Sequence, residues 1–442
     1  TLFLTFILAT AAAASSTNLS SAAVAALQFD RQSYINGLVT EDPFYSVLPP
    51  GAGDAAPGDL IKLEEQSNTS LFTLPPTASL SRIIYQSKTF NGTSVPVSAY
   101  ILWPYQPRKQ KDGSFPIVAW AHTASGLTRE CAPSHIRNLW QHFQAPFQLS
   151  LQGYVVVATD YAGLGVPKDA YKQNISHEFF VSPSQANDIF YSVQAAQTAF
   201  EQLSKEFIVM GHSQGGGAAW AAAQRQVHEP VNGYLGAIAI SPVTSIIQQV
   251  GPEAPVLALG ILPGMVTVLP GFKTTDVSTP QGQQALDQIF YFAGCMAFID
   301  AVVGAIIGVF PLVQPGWQEN PFVQAWQALA INGGKEISGP LLIFHGESDP
   351  LLNFNVTSEA VENTLAKFPK SQIEFVILPN VSHIPALEAS QPIWLDWIAA
   401  RFAGESGSRS QISTACPARP SAAQQPELNW FINLATKFFQ TP

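Results

Sequence analysis

The chain has 442 residues, of which 47% are hydrophobic and only 12% charged, against about 25% charged in an average soluble domain. A disordered polymer is rich in charge and poor in apolar residues, so that class is excluded and a large core is expected. The 31 acidic and 21 basic residues leave a formal charge of -10, which discounts a nucleic-acid partner, because binding phosphates would oppose the chain's own field. The length suits one large domain with insertions, or two to three ordinary ones.

Residues 1–14, TLFLTFILATAAAA, form an apolar run that ends in small residues and reads as part of a secretion leader. A buried helix or an anchor is the competing reading. Secretion is compatible with six Asn-x-Ser/Thr sequons, beginning at Asn18, Asn68, Asn91, Asn174, Asn355 and Asn380. Because Asn380 lies close to a candidate site residue, a glycan there is expected to be rare. Cys131, Cys295 and Cys416 permit one disulfide and leave one thiol over. Their spacing lacks any zinc pattern.

Segment 15–79, rich in Ser, Pro and Gly, reads as a wrapping arm ahead of the main fold. From there apolar β-rich runs alternate with helical stretches, the pattern of parallel strands joined by helical crossovers. Eight runs read as strands: 82–90, 95–103, 115–121, 154–160, 207–211, 234–241, 340–346 and 372–378. Helices are expected over about 133–151, 183–203, 214–227, 357–368 and 386–402. The alternation therefore divides into a first core part, 80–242, and a second, 336–402. Residues 243–335 interrupt it as a sparsely charged helical cap, and 403–442 form a tail or flap. Within the cap, 295–313 is apolar for the length of a membrane span. It contains Asp300, which insertion scales penalise by about 2.5–3.5 kcal/mol when central, so a helix within the cap is preferred and no stable transmembrane segment is expected.

In EFIVMGHSQGGGAAWAAA an apolar strand leads into Gly211-His212-Ser213-Gln214-Gly215 and then a small-residue helix, the pattern of a nucleophile elbow. A strand that turns abruptly into a helix leaves room only for glycine-sized neighbours, and Gly211, Gly215 and Gly216 meet that demand. The elbow places Ser213 at a helix N-terminus, where free N–H groups favour developing negative charge, so the Gln214 N–H is one candidate oxyanion donor. The second is expected from the loop after the third strand, at Thr123 or Ala124, which backbone chemistry cannot separate. A serine hydroxyl needs a histidine to take its proton, and that histidine needs a carboxylate to fix its tautomer. LLIFHGESDP delivers Asp349, with Glu347 as the competing acid, and FVILPNVSHIP delivers His383. The order Ser213, Asp349, His383 is that of hydrolases of this topology. Asp160 precedes the serine and is read as a turn residue. The other histidines, including His212 and His345, are read as packing or surface groups. No HExxH, Walker loop or paired CxxC occurs, so no metal or other cofactor is implied.

With AWAHTASG, the Cys131-Ala132-Pro133-Ser134 block, DYAGLG, GHSQGG, the helical cap and HGESDPLLN in place, the chain from about 81 to 402 resembles the secretory lipase (lipase A-like) family of the α/β-hydrolase superfamily. The resemblance implies a mostly parallel eight-stranded sheet with helices on both faces and a large helical cap insertion. It also implies Ser213, Asp349 and His383 as a catalytic triad, ester hydrolysis at a small-molecule ester or lipid, with a lipid–water interface as a further expected partner, and a disulfide between Cys131 and Cys295. Some relatives carry a cysteine directly after the catalytic histidine; here that position is Ile384, which leaves Cys416 without the matching partner. Transfer of the acyl group to an alcohol, peptide hydrolysis and non-catalytic binding are the other readings of the same residues.

Overall fold

The computed structural model describes residues 19–75, 77–140, 145–249, 255–405 and 410–416. The leader, and the tail but for residues 403–405 and 410–416, lie outside them. The described chain builds a sheet from ten strands: β1 (Leu60–Glu64), β2 (Ser79–Lys88), β3 (Ser94–Trp103), β4 (Phe115–Ala121), β5 (Val155–Thr159), β6 (Leu203–His212), β7 (Tyr234–Ile240), β8 (Leu341–Gly346), β9 (Ile373–Leu378) and β10 (Gln411–Thr414). Their order is β1-β2-β3-β5-β4-β6-β7-β8-β9-β10. The first three pairings are antiparallel and all others parallel. The eight strands expected from apolar runs are present. The two further ones are the edges, and neither is apolar throughout: LIKLE carries two charges and QIST is mostly exposed. An edge strand has one side open to water and needs no continuous hydrophobic run.

Central strands feed two cores because successive side chains point to opposite faces. In β4, Ile117, Ala119 and Ala121 join one core while Val118 and Trp120 join the other. The helices Ser182–Ala199, Gln214–Arg225 and Phe354–Lys367 contribute to the first core, and Pro146–Leu151 and Gln391–Phe402 to the second. Each fully buried Ile, Val or Leu contributes about 1.5–3 kcal/mol.

One expected helix is largely absent. Over 129–140 the chain instead forms two short 3-10 turns, and only Pro146–Leu151 is α-helical. Leu139 and Trp140 both sit at φ 52°, and the Asn138 side chain accepts the Trp140 N–H at 3.1 Å. A side chain that bonds its own backbone in this way competes with helix formation. The helix expected over 386–402 is interrupted at Ser390, whose hydroxyl donates to the Ala386 carbonyl.

Between β7 and β8 lies an all-helical region with a third apolar core. Its main elements are Pro255–Val268, Pro280–Phe292, Met296–Gly304 and Pro321–Ala330, packed around Leu262, Met265, Phe298 and Trp326 and against Ala23 and Leu27 of the helix Ser21–Gln32. The apolar run 295–313 is helical only over Met296–Gly304, and no described helix is long and apolar enough to cross a membrane. Cys131 and Cys295, 164 residues apart, form a disulfide with Cα atoms 5.4 Å apart.

The helix Met296–Gly304 begins without a side-chain cap from its own N-cap residue. Buried Asp30, from the N-terminal segment, supplies one: Oδ2 accepts the Cys295 N–H at 2.8 Å and the Phe298 N–H at 3.0 Å. Burial, only partly offset by these backbone bonds, raises the Asp30 pKa from 3.8 to about 6. A raised carboxyl contributes stability below its unfolded value and loses it as pH rises through its folded value, here between about 4 and 6. Asp30→Ala should therefore destabilise the fold by about 1 kcal/mol, the usual loss for a cap. Asp30→Asn, which keeps an acceptor without the charge, should gain stability relative to the parent between pH 4.5 and 7. Thermal melts of the three proteins across that range check both expectations.

Candidate active site

The functional candidates converge on the C-terminal edge of four adjacent parallel strands. Ser213 follows β6, Asp349 follows β8 and His383 follows β9, in the order β6-β7-β8-β9. Ser213 has φ 58° and ψ -116°, a sparsely populated conformation that persists only when surrounding packing enforces it. Here the packing is identifiable. A Cβ on Gly215 would lie 1.9 Å from the Ala121 carbonyl oxygen and 2.8 Å from that of His122. No other residue would let the new helix start so close to the end of β4. Ser213 is half-buried while His212 and Gln214 are buried, so the hydroxyl-bearing residue alone of the three is open to solvent.

The same close approach brings the loop 122–126 against the helix N-terminus. Thr123 is buried and accepts a hydrogen bond from Trp140 Nε1 at 2.9 Å, while Ala124 is half-buried. Gln214 is the first residue of its helix, and first-turn N–H groups have no intrahelical carbonyl to meet. Its side chain reaches His177, with Nε2 atoms 3.5 Å apart. His177 Nδ1 donates to the Ala162 carbonyl at 2.9 Å, so its Nε2 accepts from the Gln214 amide; burial pushes its pKa down to about 4.

His383 Nδ1 donates to Asp349 Oδ2 at 2.7 Å. Glu347, the competing acid, is exposed, and its N–H pairs with the Leu378 carbonyl. The Asp349 side chain is fully buried. Burial alone would raise its pKa, but facing His383 and the bonds from His345 and His383 outweigh it and hold the carboxyl well below the usual range. Oδ1 accepts the N–H groups of Leu351 and Leu352 at 2.9 and 3.0 Å. The two loops meet tightly: a Cβ on Gly346 would lie 2.2 Å from the Val381 carbonyl oxygen.

His212 links the elbow to His383. Its Nε2 donates to the His383 carbonyl at 3.0 Å, and the two rings lie 4.9 Å apart. Burial, reinforced by the nearby His383, pushes its pKa down to about 3, so it is an uncharged donor at neutral pH. The contact of His212 was not legible in the sequence, since nothing in a lone histidine marks a carbonyl 171 positions along the chain. His122 is buried, stacked on Tyr161 and bonded to backbone carbonyls. Asp160, read as a turn residue, is buried and accepts from the hydroxyl of Ser98 and the N–H of Ser134. No group of residues among those described is arranged to hold a metal ion.

No curated protein sequence matches the chain. Among solved structures, lipase A of Candida antarctica in its closed state superposes with a TM-score of 0.67 at 19% identity, over 87% of this chain and 92% of that one. The rice cell wall degrading esterase LipA of Xanthomonas oryzae gives 0.57 at 18% identity, over 78% and 98%. A protein of Legionella pneumophila gives 0.57 at 15%, over 78% and 97%. These likenesses show the fold. The family model described as the alpha/beta hydrolase family matches residues 120–394, and the chain belongs to that family.

Proposed function

We propose that the protein is a secreted serine hydrolase of carboxylic esters, with Ser213 as nucleophile, His383 as base and Asp349 as the acid that orients it. The observation that carries this reading is the 2.7 Å bond from His383 Nδ1 to buried Asp349, set beside the Ser213 elbow through His212. With Nδ1 committed as a donor, Nε2 is left to take the Ser213 proton as Oγ attacks the ester carbonyl. The imidazolium that forms is stabilised by the Asp349 carboxylate. Negative charge on the carbonyl oxygen is met by the Gln214 N–H and by that of Thr123 or Ala124. His383 then returns the proton to the departing alcohol, leaving an acyl-enzyme. Water, activated by the same imidazole, releases the acid.

The apolar cap supports esters with apolar acyl chains, acylglycerols among them. A cavity of about 400 Å3 lies between the cap helices and the 163–177 loop, lined by the apolar Leu127, Val266, Leu286 and Phe290 and by polar residues that include Arg129 and Asp287. Of its lining residues His177 accepts a hydrogen bond from the Gln214 side chain, while Ser213 and His383 do not line it. On the cap's outer side Tyr291, Val309 and Phe310 are exposed, which suits contact with a lipid–water interface.

Ser213→Ala should abolish hydrolysis of p-nitrophenyl esters with an unchanged melting temperature; surviving turnover would remove the nucleophile assignment. Asp349→Asn should lower kcat by roughly 10,000-fold, the loss known when a triad acid can no longer fix the base's tautomer. For the interface, turnover of a long-chain triacylglycerol should rise sharply above its solubility limit. Replacing Tyr291, Val309 and Phe310 together by Ser should reduce sedimentation with neutral phospholipid vesicles while leaving soluble-ester turnover intact. Unchanged vesicle binding in that variant counts against the surface role.

A further inference from the structure

We propose that His345 is a positioning residue for the Asp349 carboxylate, a role that rests on the hydrolase reading above. His345 lies one residue before the end of β8 and is fully buried. Its Nε2 is 3.1 Å from Asp349 Oδ2 and 3.0 Å from the Leu352 carbonyl oxygen. Both partners are acceptors, so Nε2 carries the proton and shares it between them. One N–H thus holds the acid itself and the far end of the loop that presents it.

The consequence for Asp349 is a carboxylate with no rotational freedom. Oδ1 is held by the N–H groups of Leu351 and Leu352, and Oδ2 by His345 on one side and His383 on the other. Without His345, Oδ2 would be fixed by His383 alone, the very group it must orient. The titratable groups that face this carboxylate are His345 and His383, and His212 stands behind His383.

Packing alone does not account for the arrangement. The His345 ring does make an edge contact with Phe354, centroids 5.9 Å apart, which an apolar side chain could supply. Its Nδ1 is buried and has no partner among the described residues, an expense that an aliphatic residue would avoid. Retaining an imidazole there makes sense only for what Nε2 does. His345 is not an alternative base, since that nitrogen is enclosed between the acid and a carbonyl.

The test compares His345→Leu, His345→Asn and His345→Gln with the parent by the rate of Ser213 labelling with a fluorophosphonate and by kcat and KM on a p-nitrophenyl ester. The glutamine amide can reach the position of Nε2, whereas asparagine is too short and leucine has no donor. Leu and Asn should lose roughly 10- to 100-fold in labelling rate and kcat at unchanged KM, the scale expected when a reacting group is left loosely held, and Gln should recover most of it. Melting curves identify any variant that fails to fold, and the Asn–Gln pair decides the matter if Leu does. Labelling of a folded Leu or Asn variant at the parent's rate, or equal losses in Asn and Gln, would overturn the positioning role alone. A parent that does not label at Ser213 would overturn the hydrolase reading, and this role with it.

Discussion

Much of this molecule depends on one buried carboxylate being tolerated at the edge of an apolar sheet. An ion removed from water is strongly penalised unless it is paired and hydrogen-bonded. Asp349 meets that condition on both oxygens, with backbone N–H groups on one and imidazole nitrogens on the other. Satisfying it sets the rest of the edge. The β8 and β9 loops must touch, which requires glycine at 346. The histidine that bonds the acid is in turn held by its own carbonyl, which accepts from His212 and from the Ser241 hydroxyl. The requirement of a single acid thus propagates across four adjacent strand ends, β6 to β9.

What the sequence made legible follows from how local each signal is. The elbow could be read because strand, turn and small-residue helix are contiguous, and glycine is the only answer to a backbone approach as close as that of Gly215 to Ala121. That Asp349 and His383 meet, 2.7 Å apart, could be expected because each ends an apolar run in the order Ser213, Asp349, His383. The contact of His212 could not, for its partner is one that folding supplies: the His383 carbonyl is 171 positions away. For His345 a weak signal did exist, a histidine four residues before the acid at a strand end. The edge strands β1 and β10 were missed because a solvent-facing strand need not be greasy. The helix expected near 133–151 failed where Asn138 offered the backbone a competing partner. The Asp30 cap was beyond reach altogether, since it joins residues 265 positions apart.

That cap bears on how the helical region is fastened. Cys295 sits at the junction of three contacts: its sulfur bonds Cys131, its N–H is taken by Asp30, and Tyr34 Oη lies 3.4 Å from its sulfur. Cys131 follows within a few residues the loop that carries Thr123 and Ala124. Tyr34 and Asp30 belong to the N-terminal segment, whose Val39 N–H is taken by Glu130 beside Cys131. The N-terminal segment, the helical region and the 123–131 loop therefore meet at this buried point, as well as along the apolar core that the helical region shares with Ala23, Leu27 and Leu127.

A joint of this kind constrains motion unevenly. The start of Met296–Gly304 cannot leave the core without breaking a covalent bond and uncovering a buried carboxylate. The residues beyond it, from Ile307 to Phe310, are exposed and reach no comparable anchor. On the hydrolase reading proposed above, this division suits two conflicting demands, since a surface that meets an apolar substrate has to yield while the groups that polarise its carbonyl have to stay fixed to about 0.5 Å.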